Sequence, residues 1–180
     1  MSAEPRARWG FHELTDNWAH RLVECASIRP GDLVVDVGAG RGALTAPLVD
    51  RGARVIAVEL HPSRAHELRA RFDDRRVVVV QADASDLRLP RRPFHVVANP
   101  PFSITTALIR RLLSPGSRLV TATLVVPAYA AHQWSTGRGH GAARWTRTFS
   151  TEIVRTLPPA AFRPAPPGRV AMLRIARHRA

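Results

Sequence analysis

Lysine is missing from this chain of 180 residues: all 27 positions in the lysine-plus-arginine count are arginine. Only 14 acidic side chains oppose them, leaving a formal charge of +13 with the histidines neutral. A surface of that sign attracts polyanions, and guanidinium groups suit bidentate phosphate contacts and stacking on bases. Cysteine is almost as scarce. Cys25 stands alone, so no internal disulfide can form and a reducing, cytoplasmic setting is the simplest expectation. No apolar run is long enough to cross a bilayer: the greasiest, from Leu119 to Ala131, is short and interrupted by Pro127. The opening "MSAEPRARWGFHELTDNW" lacks the apolar core of a secretory leader. The eight histidines show no helix-face pair with a third partner, so no metal site is expected, and no nucleophile elbow is present.

What is there has the make-up of one ordinary domain, with 45% hydrophobic and 23% charged residues. Short β-branched runs alternate with amphipathic stretches, which predicts βαβ units and a parallel sheet. The strands are expected at 33–37, 54–60, 76–83, 94–99 and 118–126, with a helix over 11–27 before the first. Further helices are expected after the glycine turn, after Pro62, and in "SITTALIRRLL", with Ser103 as N-cap. Past Pro127, "AAHQWSTGRGHGAARWTRTF" reads as a loop, and two late apolar runs predict an antiparallel pair closing the sheet edge.

Chemistry concentrates where strands end. "DVGAGRGA" sets Asp36, Gly38, Gly40 and Gly42 at a strand-to-helix junction, where glycine lets a ligand approach the backbone. A P-loop is excluded, because no lysine and Ser/Thr follow. Gly38, Gly40 and Ala43 also satisfy a loose dinucleotide pattern, so a nicotinamide-dependent reductase is a rival reading. Asp36 argues for a cationic ligand instead, since a carboxylate beside the turn repels a pyrophosphate. With Asp36, Glu59 and Asp83 at successive strand ends, S-adenosylmethionine fits: Asp36 near its amino acid portion, Glu59 on the ribose hydroxyls, Asp83 on the adenine amino group.

"NPPF" at 99–102 ends the fourth strand in the same crevice. An exocyclic amino group is a poor nucleophile, because its lone pair is delocalised into the ring. If Asn99 and the Pro100 carbonyl both accept from it, the nitrogen moves toward tetrahedral geometry and the lone pair is freed. Two prolines pre-set that clamp, and Phe102 can stack on a flipped base.

Together "DVGAGRGALT", "AVELHP", "QADASDL", "NPPF" and the late "LPPAAFRPAPPGRV" resemble the Erm-type ribosomal RNA adenine N6-methyltransferases, relatives of the small-subunit dimethyladenosine transferases. The resemblance implies a Rossmann-like class I S-adenosylmethionine-dependent methyltransferase fold of the α/β class, with a mostly parallel seven-stranded sheet and an antiparallel edge pair. It also implies methylation of an adenine in 23S rRNA and macrolide-type resistance. The donor would be held by Asp36, Gly38, Gly40, Glu59, Asp83 and Asn99, and by His12 and Leu14 from the segment that lies over its methionine end; Asn99, with Pro100 and Phe102, would also serve the acceptor. Phe11 and Glu13 depart from that segment's usual residues, and Pro127 replaces a polar residue expected after the fifth strand.

The expected organisation is a single methyltransferase domain over 1–180, with an N-terminal segment to residue 30, a core from 31, no C-terminal helical domain, and a monomeric state. RNA contacts are then expected from Arg6 and Arg8, from Arg110 and Arg111 beside the "NPPF" helix, and from Arg138, Arg144 and Arg147 in the glycine-rich loop. Trp134 or Trp145 would either stack on a base or anchor the last strands. Other acceptors that present an amino group, DNA adenine or protein glutamine, remain open. So does a non-catalytic RNA-binding module.

Overall fold

The computed structural model describes residues 12–72, 75–137 and 142–178, except for the side chains of 142 and 143. Among the described residues nine strands carry the fold: β1 (Glu13–Leu14), β2 (Leu33–Val37), β3 (Arg54–Glu59), β4 (Val77–Gln81), β5 (Phe94–Ala98), β6 (Leu119–Pro127), β7 (Phe149–Leu157), β8 (Phe162–Arg163) and β9 (Val170–Arg177). The helices are α1 (Asp16–Cys25), α2 (Thr45–Asp50), α3 (Pro62–Arg71), α4 (Thr105–Leu112), α5 (Ala128–Ser135) and α6 (Ala142–Trp145).

Seven strands form one sheet in the order β4-β3-β2-β5-β6-β9-β7. The first five are parallel, while β9 runs antiparallel to both β6 and β7. The expected architecture, including the antiparallel edge pair, is therefore present. Alternation explains why the central strands are apolar throughout. Val35, Val37, Val96 and Ala98 point to the face covered by α4 and α5, whereas Val34 and Val97 point to the face covered by α1 and α3. In α4 the buried positions Thr105, Leu108, Ile109 and Leu112 follow helical spacing. Pro62 occupies the first turn of α3, where its missing N–H costs nothing.

Three local expectations change. The segment 11–27 is not one helix: Glu13 and Leu14 pair with Arg163 and Phe162, and Thr15 N–H donates to Ala161 O at 2.9 Å, so the helix starts only at Asp16. Ser103 does not cap α4. A 3₁₀ turn over Phe102–Ile104 intervenes and no side chain caps the helix. The stretch after Pro127 is not a plain loop, because α5 seats Ala130, Ala131 and Trp134 on the sheet. That helix also settles the tryptophans. Trp134 and Trp145 are buried, 5.8 Å apart between ring centroids, and serve as anchors rather than stacking platforms.

Candidate functional site

In an open α/β sheet the crevice lies beyond the carboxyl ends of the parallel strands, and β2 and β5 part company there. The turn after β2 is fastened to β3 by Gly38 N–H and Ala39 N–H, both donating to Val58 O. Gly38 has φ +74°, and a Cβ at that position would sit 3.1 Å from Pro101 Cδ. Glycine is thus what lets "NPPF" approach the turn. Gly42 serves a different contact, since a Cβ there would meet the Phe72 ring at 2.5 Å, and its absence admits the end of α3.

A cleft of about 230 Å³ opens between these parts, lined among others by His12, Gly38, Glu59, Asp83, Asn99 and Phe102. Pro100 also lines it. A smaller recess of about 20 Å³ continues past Asn99 and Gly38 to Asp36, Gly40, Leu14 and Glu13. The expected donor and acceptor residues therefore lie around two adjoining spaces that share Gly38 and Asn99 as a wall.

Asp36 is 1% exposed. Thr45 Oγ1 donates to its Oδ2 at 2.8 Å, while buried Oδ1 has no partner. Burial pushes this carboxyl from its ordinary 3.8 up to about 7; the Thr45 hydrogen bond opposes the rise and the Glu59 charge adds to it. In the ligand-free chain the group therefore costs stability as pH rises from 3.8 toward 7. An orphaned, buried carboxylate oxygen at the end of the recess fits a cationic partner such as an ammonium.

Glu59 is also buried, and both its oxygens are oriented by backbone: Oε2 accepts from Gly40 N–H at 2.8 Å and Oε1 from His61 N–H at 2.9 Å. Each oxygen keeps a second lone pair for hydroxyl donors. Arg64 lies 3.7 Å from Oε1. Asp83 is exposed and caps the 3₁₀ turn Ala84–Asp86. The Ser85 backbone and hydroxyl both donate to its Oδ1 and hold its carboxyl below the usual range, leaving Oδ2 to accept from a ligand.

At the acceptor side, Asn99 Nδ2 donates to His12 O at 2.7 Å. The amide nitrogen is thereby engaged, and Oδ1 is the atom left to accept. His12 is itself held, with Nδ1 donating to Pro164 O at 3.0 Å and its ring stacked on Phe102 at 5.7 Å. One face of Phe102 is thus covered by imidazole. Sequence reasoning placed His12 in a segment over the donor but missed this strap's ties to Asn99 and Pro164. It also missed Thr45, although that residue sits at the end of the "DVGAGRGALT" run, whereas Glu13, already singled out as a departure from the usual pattern, lines the recess.

The expected RNA-contacting arginines are not at this site. Because α4 starts beside the clamp, its last turn, with Arg110 and Arg111, lies at the opposite end of the sheet. Arg111 Nε donates to Leu87 O at 3.0 Å, which commits part of its guanidinium. Arg144 and Arg147 are exposed around the start of β7, also away from the clamp. Arg6, Arg8, Phe11 and Arg138 lie outside the described residues. No cluster of three or more His, Cys, Asp or Glu that could hold a metal occurs among the described residues, and no described helix is long and apolar enough to cross a membrane.

Sheet order, glycine turn and strand-end acids define a class I S-adenosylmethionine methyltransferase fold. Residues 4–180 match the ribosomal RNA adenine dimethylases, and the chain belongs to that family. It is 34% identical over 175 residues to the ribosomal RNA small subunit methyltransferase A of Thermosynechococcus vestitus, covering 89% of this chain and 65% of that protein. It is 36% identical to the mycinamicin-resistance protein MyrB of Micromonospora griseorubida, over 92% of this chain and 55% of that one. Among solved structures, the 23S rRNA methyltransferase ErmE superposes with a TM-score of 0.83 at 29% identity, covering 92% of this chain and 69% of that one. The chain spans about two thirds or less of the length of these curated relatives.

Proposed function

We propose that this chain transfers a methyl group from S-adenosylmethionine to the exocyclic N6 of an adenine in ribosomal RNA. The observation that carries the reading is the orientation of Asn99: its amide nitrogen is tied to His12 O, which leaves its oxygen beside the glycine turn to accept from an amine. When bound, S-adenosylmethionine supplies an electrophilic methyl on a sulfonium. Asp36 and Gly38 would hold its amino acid portion, Gly40 would keep Glu59 aimed at its ribose, and Asp83 would accept from its adenine; His12 and Leu14 would cover the methionine end. The Asn99 Oδ1 and the Pro100 carbonyl would draw the target amino group out of conjugation. Phe102 offers a ring face to the base and to positive charge developing on it. No general base is required, since the amine's proton becomes acidic only as the N–C bond forms and then leaves to solvent.

Family membership favours RNA over DNA adenine or a protein glutamine as acceptor, and methyl transfer over a nicotinamide-dependent reductase or a non-catalytic RNA-binding module. Two targets compete. Likeness to MyrB and ErmE supports a 23S rRNA adenine and macrolide-type resistance, and this is the target proposed. Likeness to the small-subunit enzymes supports 16S rRNA. Incubating the protein with labelled donor and either RNA, naked or in assembling particles, then mapping methylated adenines, decides between them. A 23S-only product agrees with the proposal, a 16S-only product moves the target, and label in neither RNA rejects the function.

A further inference from the structure

At the end of the sheet opposite the clamp, three exposed arginines, Arg110, Arg118 and Arg144, line one groove of about 970 Å³. They come from the last turn of α4, the residue before β6, and α6. None of the three guanidinium groups makes an ion pair or hydrogen bond among the described residues, in contrast to those of Arg41, Arg64 and Arg174, each beside a glutamate. A fourth guanidinium shares the wall. Arg177 donates from Nε to Leu119 O at 2.8 Å and from Nη2 to Ser117 O at 2.6 Å, and lies over the Phe149 ring at 4.5 Å. Carbonyl acceptors orient that cation without neutralising it. No carboxylate lines the groove among the described residues. Like charges gathered in a concave surface repel one another and focus a positive field, an arrangement that a bound polyanion stabilises.

We infer that this groove is a second, sequence-independent contact for the phosphate backbone of the same rRNA substrate, remote from the clamp. The inference rests on the rRNA reading above and adds where the RNA is held. Strand β6 separates the two ends with nine residues, a span of roughly 27 Å, so the contact is made by RNA flanking the target and not by the target nucleotide. Trp134 and Trp145 lie in the wall but are 4% and 6% exposed, so no base can stack on them. Recognition here is of phosphates, which is why it should be blind to sequence.

The test is rRNA-fragment binding across a series of salt concentrations, comparing wild type with the triple variants Arg110→Ala/Arg118→Ala/Arg144→Ala and Arg110→Lys/Arg118→Lys/Arg144→Lys. The alanine variant should lower the slope of log affinity against log salt by about 2 to 3 and weaken binding roughly tenfold to a hundredfold near physiological salt. The lysine variant should keep the slope, and a scrambled RNA of equal length and fold should lose as much as the native one. Melting temperature and S-adenosylmethionine affinity should stay at wild-type values in both. An unchanged slope in the alanine variant, or an equal fall in the lysine variant, overturns the groove while leaving the methyltransferase reading intact. A wild-type chain that binds no rRNA overturns both.

Discussion

The two ends of the sheet handle charge in opposite ways. At the clamp end, acids are held by hydrogen bonds: Asp36 to Thr45, Glu59 to the Gly40 and His61 amides, Asp83 to Ser85. At the far end, arginines stand in a groove with no carboxylate among its described lining residues. Charges fixed in this way are immobile and cost little reorganisation when a ligand arrives, which is what orienting a reaction needs. Unpaired, solvated charges retain their field for a partner and tolerate imprecise geometry, which is what gripping a backbone needs. Under the proposed function, that difference would separate chemistry from affinity along a single strand length.

Substitutions should sharpen that separation. The largest effect is expected from Asn99→Ala, which deletes the clamp's acceptor and its tie to His12 O. The turnover rate with labelled donor should fall by about 10²–10³-fold, with rRNA affinity nearly unchanged. Next comes Gly38→Ala, where positive φ and the 3.1 Å approach of Pro101 oppose a side chain. Denaturant titration should show a loss of about 1–2 kcal/mol, and donor affinity should fall as "NPPF" shifts away. The smallest is Glu152→Ala on β7, which removes an exposed partner of Arg174 at 3.9 Å. Stability should change by about 0.5 kcal/mol or less.

The clamp end was largely legible in the amino-acid sequence because each of its parts is local. Glycines, acids and "NPPF" all fall where strands end, and a parallel sheet gathers strand ends into one crevice whatever the loop details. The pairing that holds the strap was not legible. Glu13 and Leu14 pair with Arg163 and Phe162, far along the chain, and a two-residue strand has no periodicity to detect. Helix α5 was hidden by its short apolar stripe of Ala130, Ala131 and Trp134 beside a glycine-rich stretch. The distance of Arg110 and Arg111 from the clamp follows from helix geometry. A helix that begins at the clamp edge carries its last turn to the other edge, so Arg110 and Arg111 could neighbour the clamp in sequence and not in space.

The central claim is that a buried acid in the recess beside the cleft receives a cationic methyl donor. Calorimetric titration with S-adenosylmethionine between pH 5.5 and 7 tests it directly. The Asp36 carboxyl, raised to about 7, must ionise to pair with the ligand. Affinity should therefore climb roughly tenfold across that interval, with proton release on binding, and Asp36→Asn should abolish the climb. No uptake of the donor, or an affinity independent of pH in the wild-type chain, would contradict the account.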